Sequence, residues 1–280
     1  MKTYSLGLYE KSMPHALSFY EKLSHAKISG FDFLEISIDE SDEKLSRLLW
    51  SKNERREIVN QAADVGINIG SMCLSAHRKY PFGSLDEAVR QKSLDIMKHA
   101  IQLAYDLGIR IIQLAGYDVY YEPGSPKTQV YFYENLIKAV NLASKAGVML
   151  AFETMETSFM DTVAKAMEYV EKIQSPWLHV YPDIGNLTNA AILYGHNVCD
   201  DLTLGRGHIA AIHLKETKPG QCRDVSFGTG HVNFAKVIQT AKSIGVCRFV
   251  GEFWDNGDYR PQIEHANKFL REILDAQFPS

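Results

Sequence analysis

The strongest constraint in this chain is an alternation. Short apolar runs and longer amphipathic segments follow one another eight times along 280 residues. The runs "YSLGLYE", "FDFLEISID", "INIGSMCLS", "IRIIQLAG", "VMLAFET", "LHVYPD", "IAAIHLKE" and "CRFVGEFW" read as strands. Segments such as "NERREIVNQAADVG" and "QVYFYENLIKAVNLASKAG" read as helices, and several end in glycine just before the next strand. Glycine adopts the left-handed C-cap without strain, so each such glycine is a stop signal. Strands alternating with helices call for parallel pairing with helical crossovers. Eight units in 280 residues fit one closed (β/α)8 TIM barrel, a single domain over residues 1–280. An open doubly wound sheet is the alternative, disfavoured because no GxGxxG follows the first strand. The stretch 187–208 carries no clear element.

Four of the strands end alike. "MLAFETMET" runs through apolar residues into Glu153, "WLHVYPDIGN" into Asp183, "IAAIHLKE" carries His213 and "CRFVGEFWDN" carries Glu252. An unpaired buried charge is costly, so each of these side chains needs a partner. A lone strand-end carboxylate is more often a helix cap or a salt bridge, and a lone histidine more often a satisfied core residue. In a barrel, however, the C-terminal strand ends gather over one face, where the active site lies. Three carboxylates gathered there would repel one another, and a divalent cation removes that repulsion. Carboxylate oxygens with one imidazole suit Mn²⁺ or Zn²⁺.

Composition narrows the function classes. Hydrophobic residues make up 45%, enough for a substantial core, while a net charge of −4 argues against general nucleic-acid binding. The four cysteines form no CxxC pair, which disfavours a thiolate zinc knuckle, and Cys73 and Cys247 read as small buried residues. No run approaches ~20 apolar residues, so no membrane span is expected. The opening "MKTYSLGLYEKSMP" does not resemble a signal peptide. The expectation is a cytoplasmic protein.

"SMCLSAHRKYPFGS", "IQLAGYDVYYE", "YPDIGNL", "HLKETKPG" and "FGTGHVNF", in that order, resemble the L-ribulose 5-phosphate (L-xylulose 5-phosphate) 3-epimerases, which belong to the xylose isomerase-like barrels. The likeness runs from "LGLYEKSMP" to "GEFW". It implies a metal held by Glu153, Asp183, His213 and Glu252. It also implies acid–base chemistry by Glu153 and Glu252 from opposite faces of a ketopentose phosphate, in ascorbate and related pentose catabolism. Removal of the C3 proton would give an enediolate stabilised by Lewis-acid polarisation. A homodimer is implied as well. Glu156 stands where related epimerases bond the C1 hydroxyl, and Arg223 where they place a basic residue near substrate oxygens. Asn186 replaces the histidine that free-sugar epimerases carry three residues after the aspartate.

The phosphate needs cations or backbone N–H groups. The candidates are His77, Arg78 and Lys79 after strand three, with Lys215, Lys218 and Arg223 after strand seven. Glu35 reads as a buried polar partner inside the barrel. Trp254 and Phe253 could wall the sugar. An aldose–ketose isomerase or a dehydratase would use the same chemistry. An abasic-site endonuclease of this fold would need more histidines at strand ends, and a non-catalytic barrel would tolerate loss of a glutamate.

Overall fold

The computed structural model describes residues 3–279. Met1, Lys2 and Ser280, which belong to the single-domain expectation, lie outside the described residues. The strands are β1 (Ser5–Tyr9), β2 (Phe33–Ile38), β3 (Asn68–Leu74), β4 (Ile111–Ala115), β5 (Met149–Glu153), β6 (Leu178–Tyr181), β7 (Ile212–Leu214) and β8 (Arg248–Gly251). The helices are α1 (Phe19–Ile28), α2 (Asp42–Ser46), α3 (Lys52–Val65), α4 (Glu87–Leu107), α5 (Pro126–Ala146), α6 (Val163–Ile173), α7 (Ile184–Tyr194), α8 (Val198–Leu204), α9 (Phe234–Ser243) and α10 (Tyr259–Gln277). The stretch left open by the sequence is α7 and α8.

All strand pairs are parallel, in the order β6-β5-β4-β3-β2-β1-β8-β7. The seam between β6 and β7 is closed by isolated bridges, Val180 with Ile209 and Asp183 with His213. The left-handed caps fall where glycine was read as a stop, at Gly66, Gly108 and Gly147.

The two-residue period of each strand sorts its side chains. Leu34, Ile36 and Ile38 face the helices in the main core. Phe33, Cys73, Ala151, Tyr181, Ala211 and Val250 form a second, smaller cluster inside the barrel. Phe33 occupies room left by Gly7 and Gly70, where a Cβ would lie 2.3 Å from its ring. The inward positions one step further along, Glu35, Glu153, His213 and Glu252, are polar. The barrel interior therefore runs from apolar to ionic toward its C-terminal end. Among the cysteines, Cys73 is buried as expected, but Cys247 is exposed because it precedes β8 at the opposite, outer end.

The rim is braced beside β1. Glu10 follows that strand and takes Lys22, Lys44 and Arg47 at 2.9, 2.5 and 2.7 Å, and it accepts the Ser37 N–H at 2.9 Å. Glu10, Lys22, Lys44 and Arg47 are all buried. Burial opposes ionisation of Glu10, but Arg47, Lys44 and Lys22 outweigh it and hold its carboxyl well below the usual range. Among the described residues no helix is long and apolar enough to cross a membrane.

Candidate metal centre and active site

Glu153 is the last residue of β5, and Glu252 directly follows β8. His213 lies in β7, and its N–H donates to Pro182 O across the seam at 2.9 Å. Asp183 is the N-cap of α7, where Oδ1 accepts the N–H groups of Gly185 and Asn186 at 2.8 and 3.0 Å. Gly185 is required there, because a Cβ would lie 2.7 Å from Thr217 Cγ2 and 2.9 Å from Lys215 O. Thr154 ties β5 to the start of α7, accepting from Asp183 N through Oγ1 and from Asn186 Nδ2 through its carbonyl.

The four side chains converge. One ligand atom from each of Glu153, Asp183, His213 and Glu252 lies within 4.8 Å of the others, and all four residues are buried. His213 Nδ1 is 3.3 Å from Glu153 Oε1 and 3.2 Å from Glu252 Oε2. Ligands held at ~2.0–2.1 Å around a tetrahedral ion are separated by about 3.3 Å, so these edges match a shared cation. Asp183 Oδ2 and Glu252 Oε2 are buried without a hydrogen bond, within ion-pair reach of Lys215. The donor set fits a divalent cation.

Glu35 fixes the histidine. Its fully buried carboxylate can only accept, so His213 Nε2 donates to Oε1 at 2.6 Å. Ser71 Oγ and Tyr181 OH donate to Oε2 at 2.6 and 2.7 Å. When the ring is neutral, as a metal ligand must be, Nδ1 presents its lone pair toward the carboxylates, beside Gln113 Nε2 at 3.2 Å. A carboxylate behind the ring both orients a ligating histidine and raises its basicity.

The charges are strongly coupled. Burial and the Glu252 charge push the Glu153 carboxyl up, against His213 and Lys215. Burial acts the same way on Glu252, but Lys215 and His213 dominate and hold it low. Burial disfavours the His213 imidazolium, and Glu35 and Glu252 overcome that. Burial likewise opposes the Lys215 ammonium, yet Asp183, Glu252 and Glu153 keep it charged.

A cleft of about 70 Å³ opens above this floor. Glu153, Glu252, Asn186, Glu156, Arg78 and Arg223 all line it. Asn186 Oδ1 is buried without a partner, and Glu156 accepts from Tyr120 OH at 3.2 Å. Arg78 lies over the Tyr120 ring at 4.9 Å and Arg223 over Trp254 at 4.8 Å. Two of the three residues in "HRK" are not brought to the cleft. His77 is buried on Phe82, with its Nε2 against Ser93 O at 3.1 Å, and burial pushes its pKa down to about 4. Lys79 is exposed beside Tyr80. A short 3-10 turn over Ser75–Arg78 separates the three, turning Arg78 inward while His77 packs into the core. Trp254 walls the cleft, whereas Phe253 joins Phe227 in the core.

Lys11 and Tyr9 were not singled out in the sequence, and Cys73 was read only as a small buried residue; all three line the cleft. The "GTG" stretch is a turn anchored by Glu216, which accepts the N–H groups of Gly228 and Val232. The period of β1 and β3 already marks Tyr9 and Cys73 as inward-facing.

A family model described as Xylose isomerase-like TIM barrel matches residues 23–273. The chain belongs to this family. Within it, a protein of Shigella boydii serotype 18 (strain CDC 3083-94 / BS512) named L-ribulose-5-phosphate 3-epimerase UlaE is 45% identical over 94% of this chain and 92% of its own length. A protein of the same name from Escherichia coli O157:H7 is 45% identical over 95% of this chain and 92% of its own. The barrel also superposes on a solved L-ribulose 3-epimerase with a TM-score of 0.77 at 18% identity, covering 98% of this chain and 96% of that one. A D-psicose 3-epimerase solved with D-fructose present gives a TM-score of 0.77 at 16% identity over 97% of each chain. These distant neighbours share the xylose isomerase-like barrel fold.

Proposed function

We propose that this chain is a metal-dependent 3-epimerase that interconverts L-xylulose 5-phosphate and L-ribulose 5-phosphate. The buried convergence of Glu153, Asp183, His213 and Glu252 carries the reading, and the name borne by relatives at 45% identity supports the substrate. The isomerase or dehydratase alternative is not carried forward, because those relatives are named epimerases.

Epimerisation at C3 breaks a C–H bond next to a carbonyl and remakes it on the other face. A divalent cation, Mn²⁺ or Zn²⁺, held by the four residues would supply Lewis-acid polarisation of that carbonyl. Glu153 and Glu252 come from β5 and β8, three strands apart around the barrel, and both reach the cleft. One takes the C3 proton from its face and the other delivers a proton to the opposite face, each within ~3 Å of the carbon-bound hydrogen. Glu35 holds the His213 ring in register throughout. Asn186 and Glu156 bond sugar hydroxyls, with Asn186 Oδ1 left free to accept. Arg78 and Arg223 take the 5-phosphate, since both line the cleft and guanidinium forks suit phosphate. Trp254 covers the apolar edge of the sugar. Residues 1–280 act as one domain, in a cytoplasmic homodimer serving ascorbate degradation.

The test follows C3 by NMR in D₂O, with L-xylulose 5-phosphate and metal-stripped protein, before and after Mn²⁺ or Zn²⁺ is added. Deuterium at C3 together with L-ribulose 5-phosphate, in the metal-loaded sample alone, is expected. Conversion at full rate without metal would refute the role given to the four residues.

A further inference from the structure

Lys215 stands two residues beyond His213, so the strand period sends both side chains to the same inward side. Its residue is 5% exposed. The ammonium lies 2.5 Å from Asp183 Oδ2 and 3.5 Å from Glu252 Oε2, and it lines the cleft. This is an odd place for a cation. A fixed positive charge against two of four metal ligands repels an incoming divalent ion, and burying it carries a desolvation cost. Lysine surfaces readily on its long stem, so a merely tolerated charge would turn outward.

The charges of the site account for it. Three carboxylates face the shared space, and a divalent ion balances two of them. Lys215 balances the third. The ammonium faces Asp183 and Glu252 within ion-pair distance on one side and lines the cleft on the other, where a donor can point at a bound oxygen.

We propose that Lys215 is a second cationic centre of this site: it neutralises the third carboxylate and donates a hydrogen bond to the substrate oxygen on which charge develops as C3 loses its proton. This rests on the epimerase reading above. The C3 proton passes to a glutamate, the C–H electron pair moves between C3 and C2, and the carbonyl oxygen gains negative charge. Lys215 shares its proton with that oxygen without transferring it.

The experiment measures Mn²⁺ affinity of metal-stripped wild type, Lys215→Met and Lys215→Arg by titration calorimetry, then C3 exchange in D₂O on the loaded proteins. Lys215→Met is expected to bind Mn²⁺ about tenfold more tightly or better, because a repelling charge is gone. Its kcat is expected to fall about a hundredfold, the loss typical of one oxyanion donor, with KM little changed. Lys215→Arg retains the charge, so its Mn²⁺ affinity should stay near wild type and its kcat recover in part. Weaker Mn²⁺ binding by Lys215→Met would overturn the proposal and make Lys215 a prop for Asp183. Tighter binding with unchanged kcat would overturn the contact with substrate. A wild type that binds Mn²⁺ but exchanges no C3 proton overturns the epimerase reading and the donated bond with it, while the affinities still decide the charge-balancing half. Should Lys215→Met fail to fold by circular dichroism, Lys215→Arg and Lys215→Gln decide the same comparison.

Discussion

Glu35→Gln isolates the contribution of the residue behind the metal ligands. The carboxylate serves three donors, His213 Nε2, Ser71 Oγ and Tyr181 OH, at 2.6, 2.6 and 2.7 Å. A glutamine has the same shape but one acceptor oxygen. If that oxygen stays with the hydroxyls, the amide nitrogen meets His213 Nε2. The ring must then accept there and carry its proton on Nδ1, where it cannot ligate. If the oxygen stays with His213, the tautomer survives, but the ring loses a full negative charge behind it. Either arrangement weakens the ligand. Loss of such a supporting partner typically lowers metal affinity about 10–100-fold, or about 1.4–2.7 kcal/mol. Titration of metal-stripped Glu35→Gln with Mn²⁺, beside a circular dichroism melt, reads the effect. The expected result is a native spectrum with Mn²⁺ affinity reduced within that range. Wild-type affinity in a folded variant would refute the reasoning, because it would mean that His213 needs no anchor to ligate.

Three further outcomes follow from the geometry. Glu10→Gln leaves Lys22, Lys44 and Arg47 buried around a neutral group, so a loss of about 3–5 kcal/mol and a drop in Tm of about 10 °C are expected in a thermal melt. His77 is neutral in the fold, with its pKa lowered from 6.5 to about 4 by burial. The unfolded chain therefore binds the extra proton first. Stability should fall as pH drops below 6.5 and level off near 4, by about 3 kcal/mol from this group, and urea melts of His77→Phe should lose that part of the acid slope. Arg78→Met and Arg223→Met should each raise KM for the 5-phosphate about tenfold or more and leave KM for the free ketose unchanged, which steady-state kinetics on both sugars would read.

The barrel was legible because its signal repeats. Eight apolar runs and their glycine stops mark strand and helix alike, and Gly66, Gly108 and Gly147 take the left-handed cap that the pattern requires. The convergence of Glu153, Asp183, His213 and Glu252 was legible for the same reason, since strand number and the two-residue period together fix which face each side chain reaches. The cation positions were not. "HRK" folds into a 3-10 turn, which has no period long enough to show that Arg78 faces inward and His77 packs on Phe82. Lys215 shares the inward face with His213, but its sequence context equally fits a phosphate ligand. Only the 2.5 Å approach to Asp183 places it among the carboxylates. The α7–α8 stretch hid its two helices because "IGNLTNAAILY" is apolar around most of its circumference, leaving Ile192 and Leu193 exposed.

The ion cluster around Glu10 matters for anyone reshaping this enzyme. Glu10 sits between Tyr9 and Lys11, both of which line the cleft, and it is locked to α1, α2 and the end of β2. That side of the mouth is a fixed jaw whose position is set by charges out of reach of solvent. Arg223, by contrast, is exposed in the stretch after β7 and stacks on Trp254. Libraries aimed at new sugars should vary the second side and leave the first alone, because altered recognition at Lys11 or Tyr9 would be inseparable from damage to the brace beneath them.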